Sequence, residues 1–173
     1  MPEQYTAYLS IGSNRGSKAD NLDQALAELE KQDHTRIITV SPYYRTEPRD
    51  YADQDWFVNA VVKIRTILAP DDLLGYLKSI EKRIDTEGKP FRYGPRVIDL
   101  DIVLYDTLVL RSEELDIPHP KMHERGFVLQ PLCDIDPHIL HPVLNKTCNT
   151  LLDEIKINEN QGIIPFNNSD LKN

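Results

Sequence analysis

The chain is short of several things, and each shortage excludes a class of protein. It has no surplus of positive charge: 20 lysines and arginines stand against 28 acids, a net charge of −8. A general nucleic-acid binder would show the opposite balance, so no nucleic-acid partner is expected. No apolar run approaches the ~20 residues of a membrane span, so no membrane partner is expected either. The opening Met1-Pro2-Glu3-Gln4 lacks the basic-then-apolar order of a secretory signal. Cys133 and Cys148 are too few and too far apart in sequence for a zinc knuckle or a C-x-x-C redox site. Reduced thiols in a cytoplasm are therefore expected. Repeats and low-complexity tracts are absent. What remains is a 173-residue chain, 40% hydrophobic and 28% charged, long enough for one domain with a proper core. We read 1–173 as that single domain, with a polar tail from about residue 158 that is less ordered.

Periodicity gives the order of elements. Tyr5 to Ile11 alternates as a strand, and Gly12-Ser13-Asn14-Arg15-Gly16 breaks it. Leu22, Ala25, Leu26 and Leu29 mark one face of a helix. Arg36 to Ser41 is β-branched and stops at Pro42. Phe57 to Ile67 is a third strand, with Val58, Ala60, Val62 and Ile64 opposing Phe57, Asn59, Val61 and Lys63. Pro70 suits a first helical turn, and Leu73, Leu74, Leu77, Ile80 and Ile84 form the buried stripe. A fourth strand follows from Val97. The order β-α-β-β-α-β predicts an α+β, ferredoxin-like core: an antiparallel sheet with its helices packed on it, both core helices on one face. Val109 to Ile117 is expected as an edge strand, and Phe127 to Ile135 as a short helix around Pro131. The connections 41–56 and 84–96 are long enough to be functional. One is aromatic and the other cationic, and we take them as two walls of a site.

The chemistry concentrates on the fourth strand. Alternation puts Ile98, Leu100, Ile102 and Leu104 on one face and Val97, Asp99, Asp101, Val103 and Tyr105 on the other. Two carboxylates then stand ~7 Å apart on the same side. Either they are solubilising acids on a wet face, or they hold a cation. Val103 and Tyr105 beside them argue against a simply wet face. Oxygen ligands of this kind suit Mg²⁺ completed by water and substrate phosphates. Upstream, Lys82, Arg83, Lys89, Arg92 and Arg96 outnumber Asp85 and Glu87; they form either a solvated loop or a phosphate-binding patch.

Other candidates are weaker. The segment from Gly12 to Lys18 fails the P-loop spacing and reads as a tight turn. His119 and His123 are four apart, but Pro118 and Pro120 disfavour the helix a zinc pair would need; His119 better suits donation to a phosphate. Phe57 and Phe127 are core aromatics or the walls of a slot for a flat heterocycle. Asn59, on the face of Phe57, offers a donor and an acceptor to such a ring.

These blocks, taken in order, resemble the 6-hydroxymethyl-7,8-dihydropterin pyrophosphokinase family of folate biosynthesis. The blocks are Leu9-Ser10-Ile11-Gly12-Ser13-Asn14, Tyr44-Arg45-Thr46-Glu47-Pro48, Phe57-Val58-Asn59-Ala60, Ile80-Glu81, 94–101, Pro118-His119-Pro120-Lys121-Met122 and Arg125-Gly126-Phe127. The resemblance implies diphosphate transfer from MgATP to the pterin's hydroxymethyl oxygen, leaving AMP. It implies two Mg²⁺ on Asp99 and Asp101, with Arg92 and Arg96 catalytic on the phosphates. For ATP it implies Glu81, Lys89, Arg92, Arg96, Ile102, His119 and Arg125. For the pterin it implies Phe57 and Phe127 as a sandwich, Asn59 at the ring edge, and the chain at Thr46 and Glu47. Neighbouring folate-pathway enzymes are implied partners. The chain departs from the family pattern where early loop arginines usually stand: it has Asp85-Thr86-Glu87-Gly88 there, Tyr93 for a tryptophan, Phe57 for a tyrosine, and Glu113 and Glu114 before the His119 block. The rival readings are a weakened pterin- or nucleotide-binding domain, a module of a multifunctional folate enzyme, and a Mg²⁺-dependent phosphohydrolase or nuclease. The last of these leaves Phe57, Asn59 and Phe127 without a role.

Overall fold

Ten alternating residues in one strand organise the sheet. Strand β4 (Phe57–Thr66) pairs over all but its first residue with β1 (Tyr5–Ser13), and β1 pairs on its other side with β5 (Asp99–Tyr105). The free side of β4 is shared. Its first three residues pair with β3 (Tyr44–Thr46), and its second half pairs with β2 (Thr35–Val40). Every pairing in this sheet is antiparallel. The computed structural model describes residues 1–48, 53–87, 92, 94–158, 162–167 and 169.

Helices α1 (Lys18–Leu29) and α2 (Pro70–Ile84) cover one face, as the ferredoxin-like order requires. Pro70 occupies the first turn of α2, acids Asp71 and Asp72 follow it, and Lys82 and Arg83 close the helix. Each charge sits at the end of the helix dipole that favours it. Leu73, Leu77 and Ile80 are fully buried against Leu9, Ile11, Ala60 and Val62. Leu74 and Ile84 are partly buried at its margin. The second face carries α3 (Gly126–Ile135) and α4 (Cys148–Asn158), which bury Tyr8, Val61, Val103 and Leu104. Cys133 and Cys148, distant in sequence, meet between these helices as free thiols with Sγ atoms 2.6 Å apart. Among the described residues, no helix is long and apolar enough to cross a membrane.

Several local expectations change. β1 continues through Gly12 and Ser13 instead of breaking there. The connection 41–56 contains β3, too short to show a period. The 109–117 segment does not join the main sheet: β6 (Leu110–Arg111) and β7 (Asp116–Ile117) pair only with each other. Asp106, at φ 44°, turns the chain out of β5 just before them. The tail is not all irregular, because β8 (Ile163–Pro165) adds to the outer edge of β3. Strict alternation in β5 also fails. The register with β1 shifts so that Leu9 faces Ile102 while Tyr8 faces Leu104, and Val103 is left over. This bulge moves Tyr105 to the α1/α2 core and Leu104 to the α3/α4 core. Tyr105 therefore does not flank the acids, whereas Val103 does share their face.

Leu77 tests the first layer. Leu77→Ala should cost about 2–5 kcal/mol in urea unfolding; a loss under about 0.5 kcal/mol, typical of a surface position, would show that α2 is not packed as described.

Candidate functional site

The α3/α4 face of the sheet is covered at one end and open at the other. Cross-strand rows show the change. Tyr8 pairs with Lys63 and Leu104, Ser10 with Val61 and Asp101, and Gly12 with Asn59 and Asp99. The last two rows, apart from the buried Val61, form the floor of a cavity of about 230 Å³. Its rim comes from both long connections: Thr46, Glu47 and Gln54 on one side, Arg96 on the other. His119, Arg125 and Phe127, around the start of α3, close it from above.

The carboxylates lie together on this floor. Loss of solvent pushes the Asp101 carboxyl up to about 7, and the charges of Asp99 and Glu81 add to the rise. Like charges in a poorly hydrated place disfavour ionisation. A divalent cation would reverse that preference, so the donor chemistry fits magnesium. No group of three or more His, Cys, Asp or Glu residues gathers for a metal among the described residues. A cation here would complete its shell with water and phosphate oxygens. Arg96 Nη1 bonds Asp99 Oδ2 at 2.6 Å, while the buried Arg96 Nε has no partner. An unpaired buried donor is costly, and a phosphate oxygen would satisfy it.

Asn14 explains why Arg96 stands there. This residue is 2% exposed. Its Oδ1 accepts from Arg96 N–H at 2.7 Å, and its own N–H donates to Arg96 C=O at 3.0 Å. Its Nδ2 donates to Gln54 Oε1 at 2.7 Å and to Asp55 C=O at 3.2 Å. One amide thus ties the two site-forming connections together. A buried asparagine after a strand carries little sequence signal by itself, and only the Gly12-Ser13-Asn14 block pointed to it.

The opposite end is apolar with one polar edge. Phe57 and Phe127 both line the cavity. Arg125 lies 5.4 Å from the Phe127 ring centre, a cation–π distance. Asn59 is buried and donates from Nδ2 to Thr46 Oγ1 at 2.5 Å. Gly12 makes this possible: a Cβ there would sit 2.4 Å from Asn59 Oδ1.

His119 is neutral near pH 7, because burial first and Arg125's positive charge second pull it down to about 4. Its Nδ1 accepts from Lys121 N–H at 3.1 Å. The remaining proton therefore sits on Nε2, free to donate. Lys78 also lines the cavity, from α2; it was missed because an exposed lysine on a helix looks like solvated surface.

Other expected residues fall differently. Ile102 is 3% exposed and packs in the α1/α2 core, so its side chain does not reach the cavity. Glu81 accepts from Leu100 N–H at 2.9 Å, buttressing β5 between the two acids, and is not part of the cavity lining. That bond points the Leu100 N–H off the sheet edge. Ile102, two residues on, turns its backbone the same way. Arg92 lies in an exposed turn away from the lining, and Lys89 is outside the described residues. The basic run is not one patch either, since Arg83 leaves it to pair with Glu28 of α1 at 2.9 Å.

Fold and site together describe an α+β chain in which paired carboxylates share one cavity with Phe57, Asn59 and Phe127. Residues 8–137 match the family described as 7,8-dihydro-6-hydroxymethylpterin-pyrophosphokinase (HPPK). The chain is 45% identical over 147 residues to the folic acid synthesis protein FOL1 of Dictyostelium discoideum, covering 83% of this chain and 22% of that one. It is 43% identical to fol1 of Schizosaccharomyces pombe, covering 96% of this chain and 22% of that one. The chain thus spans about a fifth of the length of these relatives. It is 36% identical to the 2-amino-4-hydroxy-6-hydroxymethyldihydropteridine pyrophosphokinase of Aquifex aeolicus, covering 82% of this chain and 86% of that one. Among solved structures, wild-type Plasmodium falciparum HPPK-DHPS with SDX-DHP aligns with a TM-score of 0.71 at 17% identity, over 89% of this chain and 45% of that one, a likeness of fold. The chain belongs to the pyrophosphokinase family.

The raised Asp101 carboxyl has a consequence for stability. Between its ordinary value of roughly 4 and about 7, the folded chain keeps a proton that the unfolded chain has lost. Stability therefore falls as pH climbs through that window. In metal-free buffer at pH 8, Asp101→Asn should melt above the parent by roughly 2–4 °C per kcal/mol released, with the gap closing by pH 4. A lower Tm for the variant at pH 8 would contradict the assignment.

Proposed function

We propose that this chain transfers a diphosphate from MgATP to 6-hydroxymethyl-7,8-dihydropterin, releasing AMP, as a step of folate biosynthesis. One observation carries the reading: the paired acids and the Phe57, Asn59 and Phe127 slot open on the same cavity. The hydroxymethyl oxygen attacks the β-phosphorus of ATP, the bridge to the α-phosphorus breaks, AMP takes the bond's electrons, and the hydroxyl proton passes to water. Phe57 and Phe127 sandwich the pterin, and Asn59 with the chain at Thr46 and Glu47 reads its edge. Asp99 and Asp101 would hold the two Mg²⁺ ions that the resemblance implies, and those ions would supply neutralisation of phosphate charge. Arg96 steadies a phosphate through its unpartnered Nε, joined by Arg92 and Lys89 from the loop. His119 Nε2–H and Arg125 contact ATP, and Ile102 does so through its outward backbone. Glu81 acts on the nucleotide side by fixing β5. Positioning and charge neutralisation supply the rate.

The whole of 1–173 serves as one pyrophosphokinase domain, acting in the cytoplasm beside other folate-pathway enzymes. Its free thiols are consistent with that compartment. A second reading draws on the loop: Thr86 and Gly88 stand where the resemblance implies arginines, and Glu87 between them pairs with Arg15 at 2.8 Å. On that reading the chain is a slow or binding-only module of a multifunctional folate enzyme.

The decisive assay is AMP release. It should require both Mg²⁺ and the hydroxymethyl pterin; release of ADP or phosphate without pterin would sink the proposal. Asp99→Asn and Asp101→Asn should each abolish turnover while pterin binding persists, and parental turnover in either variant would remove that acid from the mechanism.

A further inference from the structure

Strand β3 is three residues long and is held on both edges. Its inner edge pairs with Phe57, Val58 and Asn59. Its outer edge pairs with β8, Tyr44 against Pro165, Arg45 against Ile164 and Thr46 against Ile163. Two further bonds extend that ladder: Glu47 N–H to Gly162 C=O at 3.0 Å and Phe166 N–H to Tyr43 C=O at 2.9 Å. Bonded pairs alternate along an antiparallel ladder, so Arg45 and Ile164 form the bonded pair between them. So short a strand has little register of its own on one edge.

The contact at Gly162 is close. A Cβ there would lie 2.5 Å from Glu47 Oε1 and 2.7 Å from Trp56 Cη2. Glu47 lines the cavity, and Trp56 immediately precedes Phe57 while lying under the Arg45 guanidinium at 5.5 Å. The carboxylates lie elsewhere, on β5, separated from β3 by β1 and β4.

We infer that residues 162–166, beyond the 8–137 family match, are a latch that positions the pterin wall: β8 holds β3, and the bare backbone at Gly162 lets Glu47 reach the slot and Trp56 pack next to Phe57, which walls it. These are positioning residues that touch no substrate. The latch acts on the heterocycle and leaves the nucleotide end alone. This inference rests on the proposed slot of Thr46, Glu47, Phe57 and Asn59.

The test uses the full chain with two variants. Gly162→Val drives a side chain into Glu47 and Trp56. Ile164→Pro removes the N–H that bonds Arg45; Ile164 is 46% exposed, so little core is lost. Binding of 6-hydroxymethylpterin is followed by fluorescence, binding of a magnesium complex of a non-hydrolysable ATP analogue by calorimetry, and folding by thermal melting. Both variants should weaken pterin by roughly tenfold or more, as small misplacements in a binding site do, while nucleotide Kd stays within about twofold. Variants that bind pterin as tightly as the parent would overturn the latch alone. Equal weakening of both ligands would also overturn it, showing general destabilisation. A parent chain that fails to bind pterin defeats the slot reading itself, and the latch with it.

Discussion

Two like charges on one strand face are the constraint to which the site answers. Asp99 and Asp101 project from β5 onto a floor poor in water, where burial and mutual repulsion push the Asp101 carboxyl up to about 7. Arg125 and Lys78 offset part of that push at Asp101 and leave its carboxyl raised. Arg96 takes one oxygen of Asp99 and leaves its own Nε unpaired. Glu81 adds a third carboxylate nearby, yet spends itself on the Leu100 N–H, so it fixes the strand while sharpening the repulsion. Such an arrangement is costly for a resting protein and suited to receiving cations and phosphates together. Strain of this kind is sustained where the surrounding structure is well determined, and here a fully paired β1 lies alongside.

The rest of the fold supplies that determination unevenly. The α1/α2 face is apolar across its middle, with the buried hydroxyls of Ser13 and Thr66 at its two ends. The other face is filled by α3 and α4 over Tyr8, Val61 and Leu104, then left open over Ser10 and Gly12. α3 is itself fastened at its far end, where Asp136 receives Tyr8 Oη and, at 2.9 Å, Lys63 Nζ, and Asp134 receives Tyr44 Oη. Its near end can then present Arg125 and Phe127 at a fixed height above the sheet. The site is the unfilled half of a core.

The parts legible in the sequence were those encoded by a repeating local pattern. The 3.6-residue stripe of Leu73, Leu77 and Ile80 and the alternation of β4 needed no partner to be seen. The order of elements followed from them. The bulge at Val103 was invisible, because a bulge is a mismatch between two strands and no single strand records it. β3 and β8 are too short to show a period and exist as strands through each other and β4. Asn14 reads as a turn residue until Arg96, Gln54 and Asp55 are seen around it. The contact of Cys133 with Cys148 depends on how α3 meets α4. Ile102 is a caution of another kind: resemblance placed it beside the nucleotide, and the structure buries its side chain, leaving its backbone to make any contact.

The proposed chemistry needs the pterin oxygen and the β-phosphorus to meet in line, and the sheet sets that separation. Asn59 and Asp99 lie on strands to either side of β1, in the same cross-strand row. Two strand spacings separate them by about 10 Å. The residue between is Gly12, which contributes no side chain to fill the gap. Any Cβ there would strike Asn59 Oδ1 first, turning that amide before it touched either acid. Gly12 therefore does two things through one absence: it lets the Asn59 amide settle against Thr46, and it leaves open the stretch of floor that the proposed transfer would cross. A rigid sheet with an empty position in its central strand is a simple way to hold two substrates at a fixed distance without placing protein atoms between them.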